Sequence, residues 1–174
     1  ATNDGPISSV LEIDGFKILL DCGWAEPYNT ELLAPLKEIA PSIDAVVISA
    51  PDMAHLGALP YAVANFGLKA PVYTTNPGYK FGESLLFDAW QSQRHQSDFA
   101  LFGMEQIDLA LSRIVQVKYH ERIRFHDKGE GIDAMCYCGA RVVGSAVWKF
   151  TKGAETVLYA IDFGHTKDKK LLLN

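Results

Sequence analysis

Apolar positions in the first part of the chain alternate between strand-like and helix-like spacing. Residues 7–13 and 16–20 are extended apolar or β-branched stretches on either side of Asp14-Gly15, which predicts a β-hairpin. Leucines and an isoleucine then recur at near-helical spacing over residues 31–40. Residues 43–48 follow as a mostly apolar run, typical of an interior strand. The predicted order is therefore strand, helix, strand.

A second unit of the same kind follows. Residues 56–66 are typical of a helix that ends at Gly67, and residues 70–74 predict another strand. Two further helices are predicted over residues 79–96 and 104–112, the second with an acidic first turn. This part of the chain is typical of a sheet with parallel strands and helical crossovers.

The spacing then changes to short extended runs separated by glycine or charged clusters. These runs are residues 115–119, 132–137, 142–150 and 156–161. Helices mixed with parallel-type strands first, and short strands later, predict a layered α/β sandwich with mixed β-sheets flanked by helices. Since the sequence shows no repeat, low-complexity tract or linker, we expect residues 1–174 to form one domain.

Composition narrows the functional classes. The 174 residues are 48% hydrophobic, enough for a substantial core, and the formal charge of −5 excludes chain-wide attraction to phosphate backbones. No apolar run approaches the roughly 20 residues of a membrane span, so no membrane association is expected. Cys136 and Cys138 would share one face of a strand, and we interpret them as reduced core thiols rather than metal ligands.

Candidate chemistry lies in residues 49–60, Ser-Ala-Pro-Asp-Met-Ala-His-Leu-Gly-Ala-Leu-Pro, directly after the predicted strand 43–48. Ligand sites of α/β sheets collect at such strand ends. The loop resembles the signature of the metallo-β-lactamase family of nucleases, His-x-His-x-Asp-His. With Ser49 placed on the serine that commonly precedes this signature, its four functional positions are Ala50, Asp52, Ala54 and His55. Only His55 is unchanged.

The resemblance places three further positions of the family's site. The third metal-binding histidine, which follows a glycine, corresponds to Ala140 after Gly139. The bridging aspartate corresponds to Asp162. Asp21 matches the early aspartate that supports the loop from behind the metals.

Substitution at these positions predicts a degenerate site. Two hydrolytic zinc ions need a dense set of imidazole and carboxylate ligands, and alanine ligates nothing. Only Asp52, His55 and Asp162 remain, so we expect no metal cofactor and no catalytic residue: a pseudoenzyme. One alternative is a single zinc on those three residues plus water, acting as a weak hydrolase. Another is an ion-free loop in which His55 caps or packs at the helix start while Asp21 and Asp162 accept backbone hydrogen bonds.

Further segments resemble, in order and spacing, a noncatalytic branch of the metallo-β-lactamase/β-CASP family that acts in pre-mRNA 3′-end processing. These segments are residues 19–24, 43–46, 73–82, 98–102, 147–150 and 159–165. The resemblance implies the N-terminal portion of a metallo-β-lactamase-like αββα sandwich from a longer protein, without the β-CASP domain and C-terminal regions. It also implies a nuclear scaffold whose partners are other subunits of the cleavage and polyadenylation factor, including the related endonuclease subunit.

A third possibility is an RNA-binding platform without catalysis, with pre-mRNA bound weakly or indirectly. Aromatic and basic residues are interleaved over residues 73–95, and such mixtures suit stacking on single-stranded RNA. Phe87 and Trp90 lie at helical spacing, however, which favours burial in the core. Lysines at 167, 169 and 170 are interrupted by Asp168, as in a solvated surface. The sequence identifies no RNA-binding residue.

Overall fold

The computed structural model describes residues 6–96 and 99–161, and its first sheet begins with the predicted hairpin. The five strands of this sheet are β1 (Ser9–Ile13), β2 (Phe16–Leu20), β3 (Ala45–Val47), β4 (Val72–Thr75) and β5 (Ile114–Val117), in that spatial order. β1 and β2 are antiparallel, and the remaining neighbours are parallel. Asp14 and Gly15 both have positive φ, 48° and 82°, as a tight hairpin turn requires.

Helices connect the parallel strands and cover one face of this sheet. They are α1 (Ala34–Ile39), α2 (Met53–Leu56), α3 (Leu59–Asn65), α4 (Asn76–Gln96) and α5 (Met104–Leu111), with short 3₁₀ turns at Thr30–Leu33, Ala40–Ser42 and Asp127–Gly129. None of the helices in the described ranges has the length and apolar character needed to span a membrane.

The second sheet is antiparallel and packs against the opposite face of the first. Its strands are β6 (Arg122–Arg124), β7 (Ile132–Cys138), β8 (Ala146–Lys152) and β9 (Glu155–Tyr159), also in spatial order. Alternation determines which side chains enter the core between the sheets, because successive residues of a strand point to opposite faces. Phe16, Ile18 and Leu20 of β2 enter this core, whereas Leu19 faces the helices. The predicted layered α/β sandwich is confirmed.

Four local predictions were wrong or incomplete. The helix predicted over residues 56–66 is divided into α2 and α3 at Gly57, where an added Cβ would lie 2.0 Å from the Trp24 carbonyl oxygen. The strand predicted from residue 142 begins at Ala146, because Ser145 N donates to the Val142 carbonyl in a turn. Strand β6 was not predicted. Cys136 is buried in the core as expected, but Cys138 at the end of β7 is exposed.

Candidate functional site

The loop after β3 lies where the two sheets meet. The Ser49 carbonyl accepts a hydrogen bond of 2.7 Å from Ala146 N at the start of β8. The Trp148 indole donates to the Ile48 carbonyl at 3.0 Å. Both contacts join residues about 100 positions apart in sequence. The second sheet therefore determines the position of the loop that carries the candidate residues.

Asp21 organises the start of this loop from a fully buried position at the end of β2. Its Oδ1 accepts from Ser49 N at 2.6 Å, and its Oδ2 accepts from the hydroxyls of Ser49 at 2.6 Å and Tyr159 at 2.7 Å. Burial raises the pKa of Asp21, against the opposing effects of these hydrogen bonds and the charge of His55. Asp21 thus connects the start of the loop to the end of β2 and to Tyr159 of β9.

Asp52 and His55 bind each other. Asp52 is the N-cap of α2, and its Oδ1 accepts from His55 N at 3.2 Å and lies 2.6 Å from His55 Nδ1. His55 is 1% exposed. Burial acts to raise the pKa of Asp52, but its hydrogen bonds to His55 and the charge of His55 outweigh it, so the pKa is lowered. An ionised carboxylate only accepts hydrogen bonds, so the Nδ1 of His55 donates to Asp52.

Backbone hydrogen bonds attach the same loop to the segment after β2. Cys22 N donates to the His55 carbonyl at 2.7 Å, and Trp24 N donates to the Met53 carbonyl at 2.8 Å. Gly23 permits this approach, since an added Cβ would lie 1.5 Å from the Ala54 carbonyl oxygen. The loop conformation is thus maintained by protein contacts on both sides.

Alanine occupies the three positions where the resemblance places lost ligands. Ala50 is 3% exposed, and Ala54 contributes its carbonyl to a hydrogen bond from Ile7 N at 3.1 Å. Ala140 has a left-handed φ of 61° in the turn that joins β7 to β8. None of these side chains carries a donor atom for a metal.

The turn that carries Ala140 packs on the start of α4. The Thr75 hydroxyl donates to the Gly144 carbonyl at 2.8 Å and accepts from Gly78 N at 3.0 Å. Gly144 has a φ of 91°, and a Cβ there would lie 2.6 Å from Gly78 N. The Thr75 hydrogen bonds and the close packing of Gly144 against Gly78 therefore hold the turn in place.

These residues do not fit the pair of zinc ions that the fold family implies. A dinuclear hydrolytic site requires a dense cluster of imidazole and carboxylate ligands. In residues 6–96 and 99–161, no three His, Cys, Asp or Glu side chains are grouped so that they could hold a metal ion. Asp21 and Asp52 are instead occupied by hydrogen bonds within the protein. Asp162 lies outside the described residues.

Sequence reasoning missed one member of the site. Tyr159, whose hydroxyl binds Asp21, was not identified, although alternation along its strand places it on the core face. Phe87 and Trp90 are half-buried against the helix-side core, as the packing interpretation predicts, while Arg94 lies over the Trp90 ring at 5.4 Å. The lysines at 167, 169 and 170 lie outside the described residues.

Comparison with known proteins agrees with this architecture. The model of the metallo-beta-lactamase superfamily domain matches residues 10–173. Among solved structures, a B3 metallo-beta-lactamase with an active-site glutamic acid is 16% identical with a TM-score of 0.55, covering 90% of this chain and 56% of its own. The metallo-beta-lactamase fold protein YhfI from Bacillus subtilis is 16% identical with a TM-score of 0.54, covering 91% and 55%. At these identities the structures support the fold alone.

Curated relatives are more similar in sequence. Cleavage and polyadenylation specificity factor subunit 2 of Oryza sativa subsp. japonica is 45% identical over 98% of this chain and 23% of that protein. The protein of the same name from Arabidopsis thaliana is 41% identical over 97% of this chain and 23% of its own length. Cleavage factor two protein 2 of Schizosaccharomyces pombe is 30% identical over 94% and 19%. The chain thus spans about a quarter of the length of the plant relatives.

Proposed function

Since the chain belongs to the metallo-β-lactamase superfamily, we propose that it is the noncatalytic scaffold domain of a subunit of the nuclear pre-mRNA 3′-end cleavage and polyadenylation machinery. The names of relatives at 36% to 45% identity across 98% of the chain support this assignment. Its partners are other subunits of the cleavage and polyadenylation factor, including the related endonuclease subunit. Pre-mRNA is contacted weakly or indirectly, since the net charge is −5.

The observation that carries the noncatalytic assignment is the self-contained loop after β3. Asp52 and His55 hydrogen-bond to each other at 2.6 Å, and alanine stands at positions 50, 54 and 140. A metal-activated water requires ligands that converge on an ion and a group that orients the water. In this loop the remaining polar groups instead stabilise the protein's own backbone. The domain therefore acts through its outer surface, which partner subunits bind.

A paired metal and cleavage assay tests the proposal. We expect the purified chain, dialysed against zinc, to hold less than one equivalent by elemental analysis. We expect no cleavage of a single-stranded RNA that contains a polyadenylation signal, and the same result for the double variant Asp52→Asn, His55→Gln. Two tightly bound zinc ions, or cleavage that this double variant abolishes, would refute the noncatalytic assignment.

A binding assay tests the scaffold part separately. The chain is passed over the related endonuclease subunit immobilised on a resin, with the double variant Asp52→Asn, His55→Gln as a matched sample. We expect both proteins to be retained equally, because assembly depends on the outer surface rather than on the loop chemistry. Failure of both to be retained would contradict a scaffold role for this domain while leaving the metal result intact.

A further inference from the structure

A groove runs along α4 on the side of the molecule that carries the turn after β2. It encloses about 470 Å³, and its floor is formed by the half-buried apolar side chains of Met53, Leu85 and Ala89 together with buried Tyr28. Leu85 and Ala89 lie one helical turn apart on the same face of α4. The small Ala89 side chain allows another backbone to approach this face closely.

The walls of the groove are held in place by contacts within the protein. Trp24 N donates to the Met53 carbonyl at 2.8 Å, and Tyr28 N donates to the Ala25 carbonyl at 3.0 Å. The Gln93 amide of α4 donates to Glu26 Oε1 at 2.5 Å, which joins α4 to the turn after β2. The Trp24 and Tyr28 rings also pack edge to face at 5.3 Å. Because these contacts exist without a ligand, little ordering is required when a ligand binds.

The charge at the rim is negative. Glu26 and Asp88 are both exposed, and they are the charged residues among those that line the groove. The negative field extends to the floor: burial and, after it, the charge of Glu26 raise the pKa of Tyr28. An apolar floor between two carboxylates complements an apolar side-chain row flanked by lysine or arginine.

We propose that this groove docks an amphipathic helix of a partner protein, with the helix's apolar row on Met53, Leu85 and Ala89 and its basic residues against Glu26 and Asp88. The groove is separate from the loop chemistry, and it supplies a partner surface for the scaffold function proposed above. Helix-in-groove recognition uses anchors at i, i+3, i+4 and i+7 of the docked helix, and on α4 Leu85 and Ala89 provide an apolar i, i+4 pair for such anchors. An RNA strand is disfavoured at this position, because its phosphates would face the two carboxylates.

Fluorescence anisotropy with model peptides tests the proposal. The probe is a fluorescein-labelled helix with leucines at i, i+3, i+4 and i+7 and lysines on the remaining surface; the matched peptide carries glutamates in place of the lysines. We expect the lysine peptide to bind and the glutamate peptide to bind at least about tenfold more weakly, since charge complementarity is lost. Higher salt is expected to weaken the binding of the lysine peptide.

Two double variants locate the site. Glu26→Lys with Asp88→Lys reverses the rim, and we expect about a tenfold or greater loss of affinity for the lysine peptide. Glu38→Lys with Glu105→Lys makes the same change in net charge at exposed positions outside the groove, and we expect affinity close to that of the unmodified chain. Circular dichroism verifies that both variants fold. If the rim variant unfolds, the methyl resonances of Met53 and Leu85 in the unmodified chain are expected to shift on peptide addition.

Several results would overturn the proposal. They are equal losses in the two double variants, equal binding of the two peptides, no binding of the lysine peptide, or unmoved Met53 and Leu85 resonances at saturation. Labelled oligouridine that binds the unmodified chain and shifts the methyl resonances of Met53 and Leu85 would identify the groove as a nucleic-acid site instead. None of these assays involves zinc, RNA cleavage or the endonuclease subunit. The docking proposal can therefore fail while the proposed function stands, and the proposed function can fail while the docking proposal stands.

Discussion

The Nδ1 of His55 lies 2.6 Å from the Oδ1 of Asp52, so two side chains of the candidate metal loop bind each other. Asp52 also caps α2 by accepting from His55 N. A single carboxylate thus satisfies a helix terminus and a buried imidazole nitrogen.

Replacement of Asp52 by alanine is expected to destabilise the protein by about 2–4 kcal/mol. Loss of an N-cap costs about 1 kcal/mol, and a buried polar nitrogen left without its acceptor costs about 1–3 kcal/mol. Urea denaturation followed by the fluorescence of buried Trp24 and Trp148 measures the change. Asp108→Ala, at an exposed helical position, serves as control and is expected to change stability by less than about 0.5 kcal/mol. Similar effects of both substitutions would contradict the capping role.

The stabilisation by Asp52 is expected to depend on pH. Its pKa is lowered from the ordinary value of 3.8, so the ionised form is favoured in the folded protein. The contribution is therefore fully present above the ordinary pKa and is lost as pH falls through the lowered value. We expect the difference in free energy of unfolding between the unmodified protein and Asp52→Asn to shrink below about pH 4. The raised pKa of Asp21 makes the free energy of unfolding depend on pH in the opposite sense. Because Asp21 is present in both proteins, this effect cancels in the difference. A difference that grows on acidification would show that folding does not lower the pKa of Asp52.

Asp21 is expected to tolerate asparagine much better than alanine. Asp21→Ala removes the acceptor of three buried donors, and it places alanine at a left-handed φ of 62°. We expect a loss of about 4 kcal/mol or more. Asparagine keeps one side-chain oxygen and adopts left-handed φ more readily, so a loss of about 1–3 kcal/mol is expected. Equal losses in thermal or urea unfolding would exclude Asp21 as the organiser of the loop.

Comparison of Gly144→Ala with Gly153→Ala is expected to distinguish the cost of disturbing close backbone packing from the cost of a positive φ. A Cβ at position 144 would meet Gly78 N at 2.6 Å. Gly153 has a φ of 58° with nothing within 4 Å of an added Cβ, so Gly153→Ala reports the φ strain alone, about 1–2 kcal/mol. We expect Gly144→Ala to cost at least about 2 kcal/mol more than this control. Calorimetric unfolding of the two variants provides the comparison, and equal midpoints would show that the crossing is not tight in solution.

Restoring the family pattern is expected to recover metal binding without efficient catalysis. The changes are Ala50→His, Asp52→His, Ala54→Asp and Ala140→His. We expect measurable zinc binding in a titration, because the loop conformation is already determined by protein contacts. We expect no efficient RNA cleavage, because a displacement of about 1 Å can cost about 100-fold in rate. Removal of the Asp52 cap also predicts lower stability of the metal-free variant. Multiple-turnover cleavage of single-stranded RNA would disprove this prediction.

Local pattern was sufficient for most elements of the fold and for the identity of the loop. The Asp14-Gly15 hairpin, the buried strand that contains β3 and the long helix α4 follow from residue alternation, turn chemistry and helical spacing. The lack of a ligand atom at positions 50, 54 and 140 follows from the sequence as well, since alanine carries none wherever it lies. The resemblance to the metallo-β-lactamase family is confirmed by the match over residues 10–173.

Contacts between distant segments decided the rest. At the helix break after Gly57, Ala58 N donates to the Cys22 carbonyl at 2.9 Å, and the partner of Asp21 at Tyr159 lies 138 positions away. The groove on α4 is lined jointly by residues of α4, of α2 and of the turn at Glu26, which are distant in sequence. Sequence by itself determined which residues prefer strand, helix or turn and which lack a ligand atom, because these are local properties. Only tertiary structure decided which polar groups satisfy one another, because burial and proximity arise when the two sheets and the helices pack together.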